Sequence, residues 1–169
     1  MDSNIQSILT NIKALQSLEL IAYVHCSKIN SLLQCFKHAS VLLSNSNPRT
    51  IKSKQLIDVA SILTSIDQVK QLCTHCGRNV CLNFILTTSI HQIFNEFSSI
   101  RQDLSQSFRN LGFKEISDLF DISTEELIMQ NNVDLKRIFI FIYQLRQQKT
   151  IDQRPDVLAK MASRLKSIN

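Results

Sequence analysis

Two glycines and two prolines in 169 residues constrain this chain more than any other feature. Average usage would place roughly 12 glycines and 8 prolines in that length. β-Sandwiches and barrels need a turn residue every few positions, so the composition excludes them and points to long helices. The two glycines stand apart, at Gly77 and Gly112, which also excludes a Gly-rich phosphate loop or a dinucleotide fingerprint. With 44% hydrophobic and 20% charged residues, the chain has enough apolar material to bury a core.

The few breakers divide apolar stripes of helical spacing. Ile5, Ile8, Leu9, Ile12, Leu15, Ile21 and Ala22 make the first stripe, and Ile29, Leu32, Leu33, Phe36, Ala39, Leu42 and Leu43 the second. One helix from Asn4 to Leu43 would be ~60 Å long, so a break is expected near His25–Ser27. Ser44–Pro48 reads as a loop. A third helix follows, with Ser53 as its N-cap and Leu56, Val59, Ala60, Leu63, Ile66, Val69 and Leu72 on one face. Gly77 stands where a left-handed C-terminal residue would end it. A fourth stripe from Phe84 to Phe108 ends at Leu111-Gly112. The expected fold is all-α, an antiparallel four-helix bundle over residues 1–112.

Residues 113–169 read as a regulatory arm of one or two further helices. Its first part, 113–135, carries six acids and only Lys114 as a base. Ser123 and Glu126 have the spacing of a capping box. Ile138–Tyr143 has strand propensity, but Ile138, Phe141, Ile142 and Leu145 also form a helical stripe, and helix is the expectation in a helical chain. Pro155 would begin a last helix with Val157, Leu158, Met161 and Leu165.

Catalytic and metal constellations are poor. Cys73-x2-Cys76-x4-Cys81, with His75 inside it and His91 downstream, forms only one knuckle where a structural zinc site pairs two, so buried apolar cysteines are expected and no metal. His25–Cys26 are adjacent and diverge on a helix, and Cys35–His38 lack a third group, so no cysteine nucleophile is expected. Paired carboxylates are absent too. The chain is expected to be neither an enzyme nor a cofactor carrier. The longest apolar run, Ile138–Tyr143, is far short of the ~18 residues of a membrane span. No secretory signal is read at the N-terminus, and the five cysteines are read as reduced thiols of a cytoplasmic protein.

Charge is more informative. The net charge is +5, and from Leu20 to Ile57 there is no Asp or Glu. That stretch holds Lys28, Lys37, Arg49, Lys52 and Lys54. At ~1 kcal/mol for each cation near an anionic bilayer, these five could supply up to ~5 kcal/mol before screening. They are the candidate lipid-binding residues. Nucleic acid is not expected as a partner, because no recognition motif or arginine cluster is present.

The segment Asn79-Val80-Cys81-Leu82-Asn83-Phe84-Ile85-Leu86-Thr87-Thr88-Ser89, followed by Ile93-Phe94-Asn95-Glu96-Phe97 and Leu104, resembles the N-terminal bundle of the mixed lineage kinase domain-like family, whose architecture fungal HeLo domains share. Asp134-Leu135-Lys136-Arg137-Ile138 resembles the start of that family's brace helix. The resemblance implies an executioner module of lytic, necroptosis-like cell death. Such a module self-associates, binds phosphoinositides or other anionic phospholipids, and moves from cytoplasm to plasma membrane to permeabilise it. It also implies a C-terminal kinase-like domain or an upstream kinase as partner. In this frame Ile138, Phe139, Phe141 and Ile142 become the candidate brace or oligomer contact. The alternative is a helical adaptor that relays signals by protein–protein contact.

Overall fold

The computed structural model describes residues 2–18, 22, 24–47, 49–77, 84, 85 and 88–147. Among them the chain is all-helical and contains no named strand. Six helices follow in order: α1 (Ser3–Ser17), α2 (Cys26–Ser44), α3 (Leu56–His75, preceded by a 3-10 turn over Ser53–Gln55), α4 (Ile90–Asn110), α5 (Lys114–Phe120) and α6 (Thr124–Gln147). The expected last helix from Pro155, Cys81 and most of the Asn79–Ser89 segment lie outside the described residues.

Three of the helices begin where their apolar period meets a side-chain cap. Asp2 accepts from Asn4 N at 2.8 Å to start α1 and also accepts from Ile51 N at 2.9 Å, tying α1 to the α2–α3 loop. These backbone donors favour the charged carboxylate, and the pKa of Asp2 is lowered accordingly. Ser89 caps α4 and Ser123 caps α6, each accepting an amide three residues on at 3.1 Å. At the end of α4, Gly112 adopts φ 85°; its N–H bonds Arg109 O, and Phe113 N–H bonds Phe108 O, both at 2.9 Å. This is a Schellman closure, completed by the edge-on contact of the Phe108 and Phe113 rings.

Gly77 does not play the part expected of it. It is not left-handed; α3 ends on Cys76 in right-handed geometry, and Gly77 forms an isolated antiparallel bridge with Ala22. Position Gly77 therefore brings two connections together instead of reversing a helix.

One hydrophobic core draws on all six helices. α1 packs on α2 and α3, α3 on α4, α4 on α5, and α2 on α5 and α6. The core does not stop at Gly112: Phe113, Ile116, Phe120 and Ile138 belong to the same cluster as Ile8, Phe36 and Phe97. Phe120 stacks on Phe108 with centroids 5.7 Å apart and meets Phe36 edge-on at 5.0 Å, joining α5, α4 and α2. A fully buried ring of this kind contributes ~3–5 kcal/mol against truncation to alanine.

Candidate functional site

The acid-free stretch is not one surface. At its N-terminal end, His25 stands at φ 55° as the N-cap of α2 and offers no side-chain cap. The free amides of α2 are met instead by Asp134, far along the chain on α6. Its carboxylate accepts from Ser27 N at 2.6 Å and Lys28 N at 3.1 Å. It also accepts from Lys28 Nζ at 2.9 Å, an ion pair with both side chains fully buried. Lys28 Nζ donates further to Asn131 Oδ1 at 2.9 Å and lies 5.9 Å above the Phe97 ring. The ammonium is thus held by a carboxylate, an amide oxygen and an aromatic face. Desolvation lowers the Lys28 pKa, and Asp134 opposes that shift.

Lys28, counted above among lipid-contacting residues, is therefore corrected to a core residue in this conformation. Its register explains the burial: it stands four residues before Leu32 and eight before Phe36, both fully buried. Beside it, His25 is buried against the edge of Phe84, and burial followed by the Lys28 charge pushes its pKa down to about 3. His25 is neutral here.

The other four cations are exposed. Lys37 lies on the outer side of α2. Arg49, Lys52 and Lys54 follow one another through the α2–α3 connection. Arg49 donates to Gly112 O and sits 4.9 Å over the Phe113 ring. It borders a cleft of about 480 Å³ that also includes Asn45, Ser46, Lys114 and Glu115. Gln55 donates to Asn110 O at 2.9 Å, so the basic loop is fastened to the C-terminal end of α4.

The contact proposed for α6 divides in two. Ile138 is fully buried, with Phe141 and Ile142 half-buried against the core. Phe139 is 54% exposed, and with Met129, Val133, Ile140 and Tyr143 it leaves α6 with apolar groups turned outward.

The four described cysteines are free thiols. Cys73 and Cys76 are buried, and burial raises the Cys73 thiol to about 11. Cys26 Sγ donates to Ala22 O and Cys35 Sγ to Leu119 O, neither to a histidine. Among the described residues no three His, Cys, Asp or Glu side chains could hold a metal, and no helix is long and apolar enough to cross a membrane.

Two groups escaped the sequence reading. Asp134 and Asn131 form the α6 side of the Lys28 junction. Arg101 of α4 is buried and donates to Ser31 Oγ at 2.8 Å. Both junctions had a sequence signal, a polar residue in the register of buried apolar ones: Asp134 with Leu127 and Ile138, Arg101 with Phe97, Leu104 and Phe108. No family model matches the chain, and no curated protein or solved structure matches it.

Proposed function

We propose that this chain is a membrane-targeting and membrane-perturbing module, an executioner of lytic cell death, in which α1–α4 act as a four-helix bundle and α5–α6 as its brace. The observation that carries the reading is the Lys28–Asp134 junction: a cation of the acid-free stretch is withdrawn from the surface by a carboxylate on the C-terminal helix. Lys37, Arg49, Lys52 and Lys54 would make the first contact with anionic phospholipids. Departure of α6 would then release Lys28 and the apolar groups beneath it, adding charge and hydrophobic surface at one end of α2 and allowing self-association. A kinase-like domain or kinase acting on the brace would set the timing.

Dye release from anionic and neutral vesicles tests this. Anionic vesicles should leak and neutral ones should not, and raised salt should suppress leakage. Changing Lys37, Arg49, Lys52 and Lys54 together to Glu should abolish it. Leakage that survives that variant sinks the electrostatic mechanism.

A second reading, the helical adaptor, is favoured by the outward apolar residues of α6. Met129, Val133, Ile140 and Tyr143 are 67%, 43%, 56% and 62% exposed and fall on one stripe, the kind of surface a partner helix covers. It predicts saturable protein binding with no lipid preference.

A further inference from the structure

Two buried cations among the described residues are treated differently. Lys28 meets Asp134. Arg101, in the middle of α4 and 3% exposed, meets no carboxylate among the described residues. Its Nη2 donates to Ser31 Oγ at 2.8 Å, its Nη1 lies 3.6 Å from the weak acceptor Cys35 Sγ, and its Nε is buried without a partner. A guanidinium has five N–H donors and does not lose its proton to escape burial. Gln130 of α6 donates to the same Ser31 Oγ at 3.0 Å, and its own Oε1 is buried without a partner. A water molecule could answer these two orphaned atoms. It could not answer the charge, which in a protein interior calls for an anion.

Arg101 is also part of the wall of a half-open cavity of about 360 Å³, between α4 and the α5–α6 connection. Ser98, Gln102, Ser105 and Thr124 bring polar groups to the same wall, and Phe120 and Leu127 bring apolar ones. Arg109 lines it too, and its Nη2 stands 4.0 Å from Asp121 Oδ2, with both side chains more than half exposed. Asp121 therefore offsets Arg109, and the charge of Arg101 is left over. The volume is that of a small-molecule site. The fork of Arg101 is turned to Ser31 and Cys35 of α2, so it acts on the cavity as a charge in the wall, and Ser105 Oγ is already paired with Ser117 Oγ at 3.0 Å; the Arg109 fork, with the hydroxyls and amides beside it, supplies the donors that suit the three oxygens of a phosphate group.

We propose that this cavity binds a small phosphate monoester, with Arg109 and the hydroxyls of Ser98 and Thr124 as its direct donors and the uncompensated charge of Arg101 in the wall as the main electrostatic attraction. The site is separate from the basic loop, since none of Lys37, Arg49, Lys52 and Lys54 lines it.

Titration of glycerol 3-phosphate into the full chain, followed by calorimetry and melting temperature, tests the site, with glycerol as the uncharged control. Glycerol 3-phosphate should bind saturably and glycerol should not. R101Q should weaken binding roughly tenfold or more, and R109Q a few-fold. D121N should tighten it a few-fold, because it removes a like charge beside the ligand. R109Q and D121N alter exposed side chains, so the test stands even where R101Q impairs folding. Vesicles of phosphatidic acid and of phosphatidylcholine identify the source. Competition by phosphatidic acid alone makes the occupant a lipid headgroup, and no competition makes it a soluble ester; both retain the site. Absence of saturable binding to glycerol 3-phosphate and phosphatidic acid alike overturns it, as does binding that R109Q and D121N leave unchanged.

Discussion

Helix α2 is secured by opposite means at its two ends. At the first turn, a buried lysine and two backbone amides converge on a single carboxylate from α6. At the far end, exposed cations run through a loop fastened by Arg49 to Gly112 O and by Gln55 to Asn110 O. Both ends belong to one acid-free stretch of sequence. A run of like charge along a chain is therefore not a charged surface: which cations face water depends on the helical register each occupies.

The sharpest way to break this contrast is at Asp134. D134A would leave the Lys28 ammonium buried without its counter-ion and the α2 amides without their cap. We expect a loss of about 3–5 kcal/mol in urea unfolding, the scale for removing one partner of a buried pair. Replacing the pair together, with Lys28→Met and Asp134→Leu, should recover most of that loss, because no charge is then stranded. A D134A loss below about 1 kcal/mol would mean that the junction is open in solution, and that both ends of α2 behave alike.

The exposed end is examined by the opposite measurement. Changing Lys37, Arg49, Lys52 and Lys54 to Glu should weaken binding to anionic vesicles by up to ~4 kcal/mol at low salt, at ~1 kcal/mol for each cation lost. Unfolding free energy should fall far less, since exposed charges contribute little to stability. If K28M alone weakened vesicle binding as much as the four exposed changes together, Lys28 would be reaching the membrane and the contrast would fail.

His25 gives the buried end a pH signature. Its folded pKa, about 3, lies below the ordinary value of 6.5, so between those values the unfolded chain binds a proton that the folded chain does not. Stability from this group is complete above pH 6.5 and is lost as pH falls toward 3, at up to about 1.4 kcal/mol per pH unit. H25G keeps the left-handed backbone available while removing the titration. Its stability should therefore decline less steeply than that of the wild type between pH 6 and pH 4. Equal slopes would place His25 in water.

Much of this was legible in the sequence, for a physical reason. Apolar period marks helices well, so the stripes of α1 to α4 follow from spacing, whereas Ile138–Tyr143 fits strand and helix alike and only its helical setting favours the helix that is found. The break before α2 follows from the length a single helix would have reached. Gly112 ends α4 as its position suggests, whereas Gly77, equally well placed, serves a bridge to Ala22 that only the tertiary fold creates. The buried polar junctions were not read, although Lys28, Arg101 and Asp134 each occupy a core register. Period assigns a residue to a face; it does not say which distant group will meet it there. The missing side-chain cap before α2 was a further hint that a partner from elsewhere was needed.

The smallest expected effect concerns Arg49, where the two ends of α2 can be compared through one cation each. Arg49 lies over Phe113 and donates to Gly112 O, yet its side chain is exposed. R49Q removes the charge and keeps a donor that could still reach the carbonyl. The loss should be ~0.5–1 kcal/mol, the scale of a cation–π contact at a wet site. K28Q, by contrast, leaves the Asp134 carboxylate buried with its counter-ion gone, and its loss should approach that of D134A. The ratio of the two losses, measured under the same conditions, is a direct gauge of how far burial amplifies a charge. A ratio near one would mean that water reaches Lys28 as freely as it reaches Arg49.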